Sequence, residues 1–194
     1  MNELKNHLLI FTTVLSLIII FLLDNYLINI VPSLRISFLN PPFIFLGSSL
    51  GLLGYIGIIS LSFILEKKEK YIVFLSISVI IAILISYAFK YLILRPRPNL
   101  LPLLIKSSPS FPSTHALVAF SAFFFIQKIK NKTGKIILMI IMILVSLTGF
   151  YNGVHYLSDV FAGMILGLII SYFTLKKVPF LLNKIIKNRT IKNL

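Results

Sequence analysis

Cysteine is absent from this chain of 194 residues, which excludes disulfides and thiolate-ligated metals. Acidic residues are nearly absent too: 5 Asp and Glu stand against 19 Lys and Arg, and there are only 3 histidines. Charged residues of both signs make up 12% of the chain, where a soluble domain carries roughly 25%. Too little charge is present to cover a water-exposed surface. The net charge of +14 would suit a nucleic acid, but the basic residues fall in short loops between apolar runs. Anionic lipid headgroups and the setting of membrane topology account for them more simply, and no nucleic-acid partner is expected.

What the chain does have is apolar length. It is 58% hydrophobic, with a mean hydropathy of +0.99. Runs such as "LLIFTTVLSLIIIFLL" and "IVFLSISVIIAILISYAF" are long enough to cross ~30 Å of hydrocarbon at ~1.5 Å per helical residue. The first exceeds the apolar region of a signal peptide and no small-x-small cleavage site follows it, so it is expected to be retained as a first span. The expected fold is all-α: one polytopic membrane domain over 1–194, with six transmembrane helices near 7–31, 43–65, 71–94, 113–127, 135–152 and 156–175.

The basic residues sort by side. Arg35, Lys90, Arg95, Arg97 and Lys106 fall on one side of such a bundle, and every other lysine and arginine falls on the opposite one. The positive-inside rule then places both termini, including a basic tail over 176–194, in the cytoplasm. Arg97, His115 and His155 are all expected at the outer face. Gly47 with Gly51, and Gly163 with Gly167, are small-x-x-x-small pairs that permit close helix approach and say nothing of chemistry.

Lys90 lies inside an apolar run and, taken alone, reads as a snorkelling interface lysine. "KYLILRPRP" adds Arg95 and Arg97 just beyond it, with Pro96 and Pro98 stopping the helix. Three cations converging at a membrane surface make an anion site, Arg95 being the weaker member because it is free to face water. In "SFPSTHA", Pro112 and Ser113 are helix-start residues, so Ser113 and Thr114 sit where backbone N–H groups lack partners, as suits a phosphate, and His115 lies in the first turn. His155 and Asp159 are four apart and share a helix face. A carboxylate there can accept one ring N–H and leave the other nitrogen as nucleophile, base or ligand. Asp24 has no basic neighbour in sequence and reads as an outer-interface residue of little functional weight. A metal held by His115, His155 and Asp159 is the rival reading, but the surrounding cations repel a metal and attract phosphate. Neither a metal nor a cofactor is expected.

In order and spacing these residues resemble the type-2 phosphatidic acid phosphatase family, whose motifs are K-x6-R-P, P-S-G-H and S-R-x5-H-x3-D. The first is present as Lys90 and Arg97-Pro98, the second as Pro112-Ser113-Thr114-His115 with Thr for Gly, and the third as "TGFYNGVHYLSD" with His155 and Asp159 retained. The similarity runs over about 43–175. It implies that His155 attacks phosphorus, that Asp159 orients the ring, and that His115 protonates the leaving group. Lys90, Arg97, Ser113 and Thr114 would hold the phosphoryl oxygens. The implied activity is metal-independent removal of a terminal phosphate from a membrane lipid at the outer face of the cell membrane, through a phosphohistidine. The candidate substrates are phosphatidate, phosphatidylglycerol phosphate and a polyprenyl diphosphate such as undecaprenyl diphosphate. One position departs: the family's S-R falls on Thr148-Gly149, so its arginine is missing. Arg95, Lys106 or Asn152 could replace it. A catalytically weak or inactive lipid-phosphate binder or transporter on the same scaffold is the alternative.

Overall fold

The computed structural model describes residues 2–98 and 100–179. Among the described residues every element is helical. The order is α1 (Asn2–Leu34), a 3-10 turn (Ser37–Leu39), α2 (Asn40–Leu46), α3 (Ser49–Leu65), α4 (Lys70–Ile93), α5 (Thr114–Ser121), α6 (Phe123–Ile126), α7 (Lys132–Tyr151) and α8 (Leu157–Lys176). The basic tail expected over 176–194 lies, from residue 180 onward, outside the described residues.

Helices α4, α7 and α8 are each long and apolar enough to cross a membrane, and Ile18–Leu34 with Ser37–Leu46 forms an apolar pair bent by 100°. The protein is therefore a membrane protein. The remaining expected spans are interrupted. Residues 43–65 do not form one helix: Pro41 and Pro42 start the short α2, and Ser48 then opens α3 by accepting the Gly51 N–H at 3.1 Å. Residues 113–127 break at Ala122. There the Ser121 hydroxyl donates back to the Val118 carbonyl at 2.8 Å, and the Phe124 N–H donates to the Ser171 hydroxyl of α8 at 3.0 Å. Side chains have taken over backbone partners that a continuous helix would supply itself.

The short α5 is the centre of the molecule, with Ala116, Leu117, Val118 and Ala119 all buried. It packs chiefly on α8, and the pair Gly163 and Gly167 shows why. A Cβ on Gly163 would stand 2.7 Å from the Ser113 carbonyl oxygen, and one on Gly167 2.5 Å from that of Leu117. The two backbones touch without side chains between them. Further down, Ile59, Phe63, Leu75, Phe125, Ile126 and Met142 close an apolar core.

At that end Glu66 clasps the α3–α4 turn to the α6–α7 turn. Its carboxylate accepts from Lys68 Nζ at 2.7 Å, and from the N–H groups of Lys130 and Asn131 at 2.8 and 3.0 Å. The Lys68 hydrogen bond, seconded by these backbone donors, pushes the Glu66 carboxyl down to about 2. The lysines of both turns thus gather at one end of the helices. The C-terminus of α4 and the N-termini of α5 and α8 gather at the other.

Candidate active site

Helix α4 ends at Leu94, which takes a left-handed conformation and closes on the Lys90 carbonyl. The chain then leaves as Arg95-Pro96-Arg97-Pro98 and folds back, so that the Ser110 N–H donates to the Arg95 carbonyl at 2.9 Å and the Ser110 hydroxyl to that of Pro96 at 3.0 Å. Two cations, Lys90 buried and Arg97 partly buried, pin this return. Lys90, 2% exposed, donates to the carbonyls of Pro109 and Ser110 at 2.6 and 3.3 Å. Arg97 donates to the Ser108 carbonyl at 2.7 Å, to the Val154 carbonyl at 2.6 Å, and to the Ser108 hydroxyl at 3.1 Å. A buried lysine that snorkelled to the surface would show none of these contacts.

His155 lies in the turn between α7 and α8. Its Nε2 is 3.2 Å from Arg97 Nη1, and its Nδ1 is 3.4 Å from Asp159 Oδ2. A guanidinium only donates, so Nε2 carries the lone pair and Nδ1 carries the hydrogen. At 3.4 Å the Nδ1–Asp159 contact is an ion-pair distance without a formed hydrogen bond, and Nδ1 has no other partner. Burial pushes the His155 imidazole down to about 4, the adjacent Asp159 carboxylate opposing it and the nearby Arg97 and Lys90 adding to it. The ring is neutral at physiological pH, as a nucleophile requires. Asp159 also accepts the Tyr156 N–H at 3.0 Å, which fixes the carboxylate in the first turn of α8.

A cavity of about 340 Å³ opens in front of His155. Lys90, Arg97, Lys106, Ser108, Thr114, His115 and His155 supply its polar wall, and Leu52, Leu53, Ile83 and Tyr87 its apolar one. The structure thus brings Lys90, Arg97, Thr114, His115 and His155 to one place. His115 Nε2 sits 3.2 Å from the Ser48 carbonyl oxygen, so Nε2 bears a hydrogen and Nδ1 is the nitrogen left over. Thr114 shares a hydrogen bond of 2.7 Å with Ser86 of α4. Ser113 was expected among the residues holding the phosphoryl oxygens. It is fully buried, does not line the cavity, and caps α5 by accepting the Ala116 N–H at 3.5 Å.

The position lacking its arginine is explained by contact. A Cβ on Gly149 would stand 2.6 Å from Cδ2 of His155, so the imidazole occupies the place a side chain would need. Three residues were open as replacements. Asn152 is committed elsewhere, donating to the Phe43 carbonyl at 3.0 Å. Arg95 is turned away from the cavity: it donates to Asp159 Oδ1 at 2.6 Å and to Asp24 Oδ2 at 2.7 Å. Lys106 faces the cavity and, among the described residues, is the lining cation with no protein partner.

Sequence reasoning undervalued Arg95 and Asp24. Arg95 is partly buried against two carboxylates, and Asp24 is 2% exposed and paired with it. Its partner is 71 residues away, beyond the reach of any local pattern. The available signal was energetic, since a lone acid in an apolar run must find a cation somewhere.

Comparison with known proteins agrees with this geometry. The model of the PAP2 superfamily matches residues 71–182. Phosphatidylglycerophosphatase B of Bacillus subtilis is 34% identical over 99 residues, 46% of this chain and 49% of that protein, so the match spans about half of that relative. Undecaprenyl-diphosphatase of Sulfolobus acidocaldarius is 31% identical over 148 residues, covering 73% of this chain and 72% of the relative. The crystal structure of a transmembrane PAP2-type phosphatidylglycerolphosphate phosphatase from Bacillus subtilis superposes with a TM-score of 0.68 at 26% identity, over 84% of this chain and 92% of that one. Aquifex aeolicus LpxE shares the fold, with a TM-score of 0.67 at 23% identity over 79% and 95% of the two chains. The extent of the family match, together with the cations and paired histidines gathered around one cavity, shows that this chain belongs to the PAP2 superfamily.

Proposed function

We propose that the protein is a lipid phosphatase that transfers a terminal phosphoryl group to His155 and then to water. The observation that carries this is the cavity itself: a neutral imidazole faces three cations on one wall, and aliphatic side chains line the other. Leu53 of α3 is 66% exposed and Tyr87 of α4 is 50% exposed, so the apolar wall continues onto the lipid-facing surface. A phosphate head can sit among Lys90, Arg97 and Lys106 while its hydrocarbon chain leaves between α3 and α4. This suits the lipid phosphates and polyprenyl diphosphates named for the relatives.

The chemistry follows from the tautomers. An incoming phosphate takes over the donors of Arg97, which frees the Nε2 lone pair of His155. Nε2 attacks phosphorus and the P–O bond to the lipid breaks. For His115 to act as acid its Nδ1 must first take up a proton beside the Nε2 hydrogen, as from a monoanionic phosphate entering the site; it gives that proton to the departing oxygen, then accepts one from the water that hydrolyses the phosphoryl–imidazole bond. Asp159 stabilises the positive ring of the intermediate. Lys90, Arg97, Lys106 and the Thr114 end of α5 stabilise the equatorial oxygens in both steps, and no metal is required. All six expected spans form when α2–α3 and α5–α6 each complete one crossing. The positive-inside rule then puts the lysine-rich turns in the cytoplasm and the cavity at the outer face.

Phosphate release from dioctanoyl phosphatidic acid, phosphatidylglycerol phosphate and undecaprenyl diphosphate in detergent tests the reading. Release is expected to persist in excess chelator and to vanish in His155→Ala. Absence of turnover on all three by the wild-type protein would overturn it. The acid limb of kcat/KM is expected near pH 4, where His155 takes up its proton, rather than near the ordinary value of 6.5. A limb at the ordinary histidine value would contradict the burial argument. Lys106→Ala is expected to lower kcat/KM by roughly a hundredfold to a thousandfold, as loss of one charge-stabilising donor does. Gly149→Arg restores the family letter, yet it is expected to lower kcat by about a hundredfold because it displaces the imidazole. Steady-state kinetics on both variants decide the point.

A further inference from the structure

Helix α1 lies outside the residues matched by the family model, yet it reaches directly behind the reacting histidine. Arg95 is the joint. One nitrogen, Nη1, donates to Asp159 Oδ1 at 2.6 Å and to the Ser158 hydroxyl at 2.7 Å. The other, Nη2, donates to Asp24 Oδ2 at 2.7 Å. Its guanidinium lies 4.2 Å from the ring centre of Tyr156 and 4.9 Å from that of Phe21, so an aromatic ring from each helix region confines it. Phe21 and Asp24 are three apart and occupy one face of α1. Asp24 does more than neutralise: its Oδ1 accepts the Ser158 N–H at 3.0 Å and its Oδ2 the Ser158 hydroxyl, which caps the start of α8. The carboxylate of Asp159 is therefore divided, one oxygen on Arg95 and the other toward His155.

We propose that Asp24 and Arg95 are positioning residues for the His155–Asp159 pair: Asp24 holds Arg95, and Arg95 both orients Asp159 and draws off part of its charge. The consequence is a graded carboxylate. An Asp159 left fully negative would hold a proton on free His155 and spoil its nucleophilicity. An Asp159 fully neutralised would fail to stabilise the cationic phosphoryl-imidazole. Arg95 shared with Asp24 sets a value between these. The charged and titratable groups facing His155 are Asp159 from α8, Lys90 from α4, Arg97 and Lys106 from the α4–α5 loop, and His115 from α5. Arg95 and Asp24 act on it through Asp159.

This inference rests on the reading of His155 as nucleophile, but its test does not need turnover. With 3 histidines in the chain, the His155 ring can be followed by NMR of labelled histidine in detergent micelles and assigned with His155→Gln. The fraction protonated is compared at the pH where the wild-type ring is half protonated. Arg95→Gln removes a cation from Asp159 and is expected to raise His155 protonation at that pH. Asp24→Asn leaves Arg95 wholly to Asp159 and is expected to lower it, each by the equivalent of about half a pH unit. A brace that only joined α1 to α8 would not produce opposite signs. Unchanged protonation in folded Asp24→Asn, or shifts of the same sign in both variants, would overturn the proposal. If Arg95→Gln does not accumulate, Asp24→Asn decides alone. In turnover on the active lipid phosphate, both are expected to lower kcat at least tenfold with KM within twofold. Normal kcat in Asp24→Asn would equally overturn the proposal, and an inactive wild type would count against the phosphatase reading alone.

Discussion

A carboxylate taken out of water has to be met by positive charge, and in this protein nearly everything about the site follows from how Asp159 is met. It is fully buried, with Arg95 on one oxygen and the His155 ring toward the other. Arg95 in turn requires Asp24, which ties α1 to the start of α8. The backbone of Asp159 accepts the Ser113 N–H at 3.0 Å, which locks the start of α5 beside it. One side chain and its carbonyl thus fix the beginnings of two helices and the orientation of the imidazole between them.

The cations are divided by the same rule. Those with carboxylate or carbonyl partners are structural as well as electrostatic: Lys90 and Arg97 hold the returning loop by its carbonyls while presenting charge to the cavity. Among the described residues Lys106 has no protein partner, which leaves it able to follow a substrate. The family's arginine position falls on Gly149, which the His155 ring covers. The imidazole leans on the Gly149 backbone, and Lys106 of the loop brings a cation to the same cavity.

Much of this was legible in the residues. The all-helical membrane character follows from hydropathy, and the grouping of Lys90, Arg97, Thr114, His115 and His155 from topology and from the resemblance to the family's three ordered motifs. What local pattern could not reach was pairing across the chain. Arg95 read as the weakest cation because its carboxylates lie 64 and 71 residues away. Ser113 was expected as a phosphate ligand because caps and anion sites use the same unsatisfied amides; its burial as the cap of α5 is a property that local pattern does not carry. The breaks at Gly47–Ser48 and Ala122 were hidden for a related reason. Ser48 and Ser171 replace backbone hydrogen bonds from the side, which hydropathy does not register.

The central claim is that the carboxylate-held ring of His155 carries the phosphoryl group. Rapid-quench labelling with a lipid radiolabelled in its terminal phosphate tests this most directly, with the labelled residue located by mass spectrometry after alkaline work-up. A phosphoryl group on residue 155, stable to base and labile to acid, that forms and decays at the rate of turnover is the predicted result. Turnover with no label on this ring, or equal labelling of a His155→Ala chain, would contradict it.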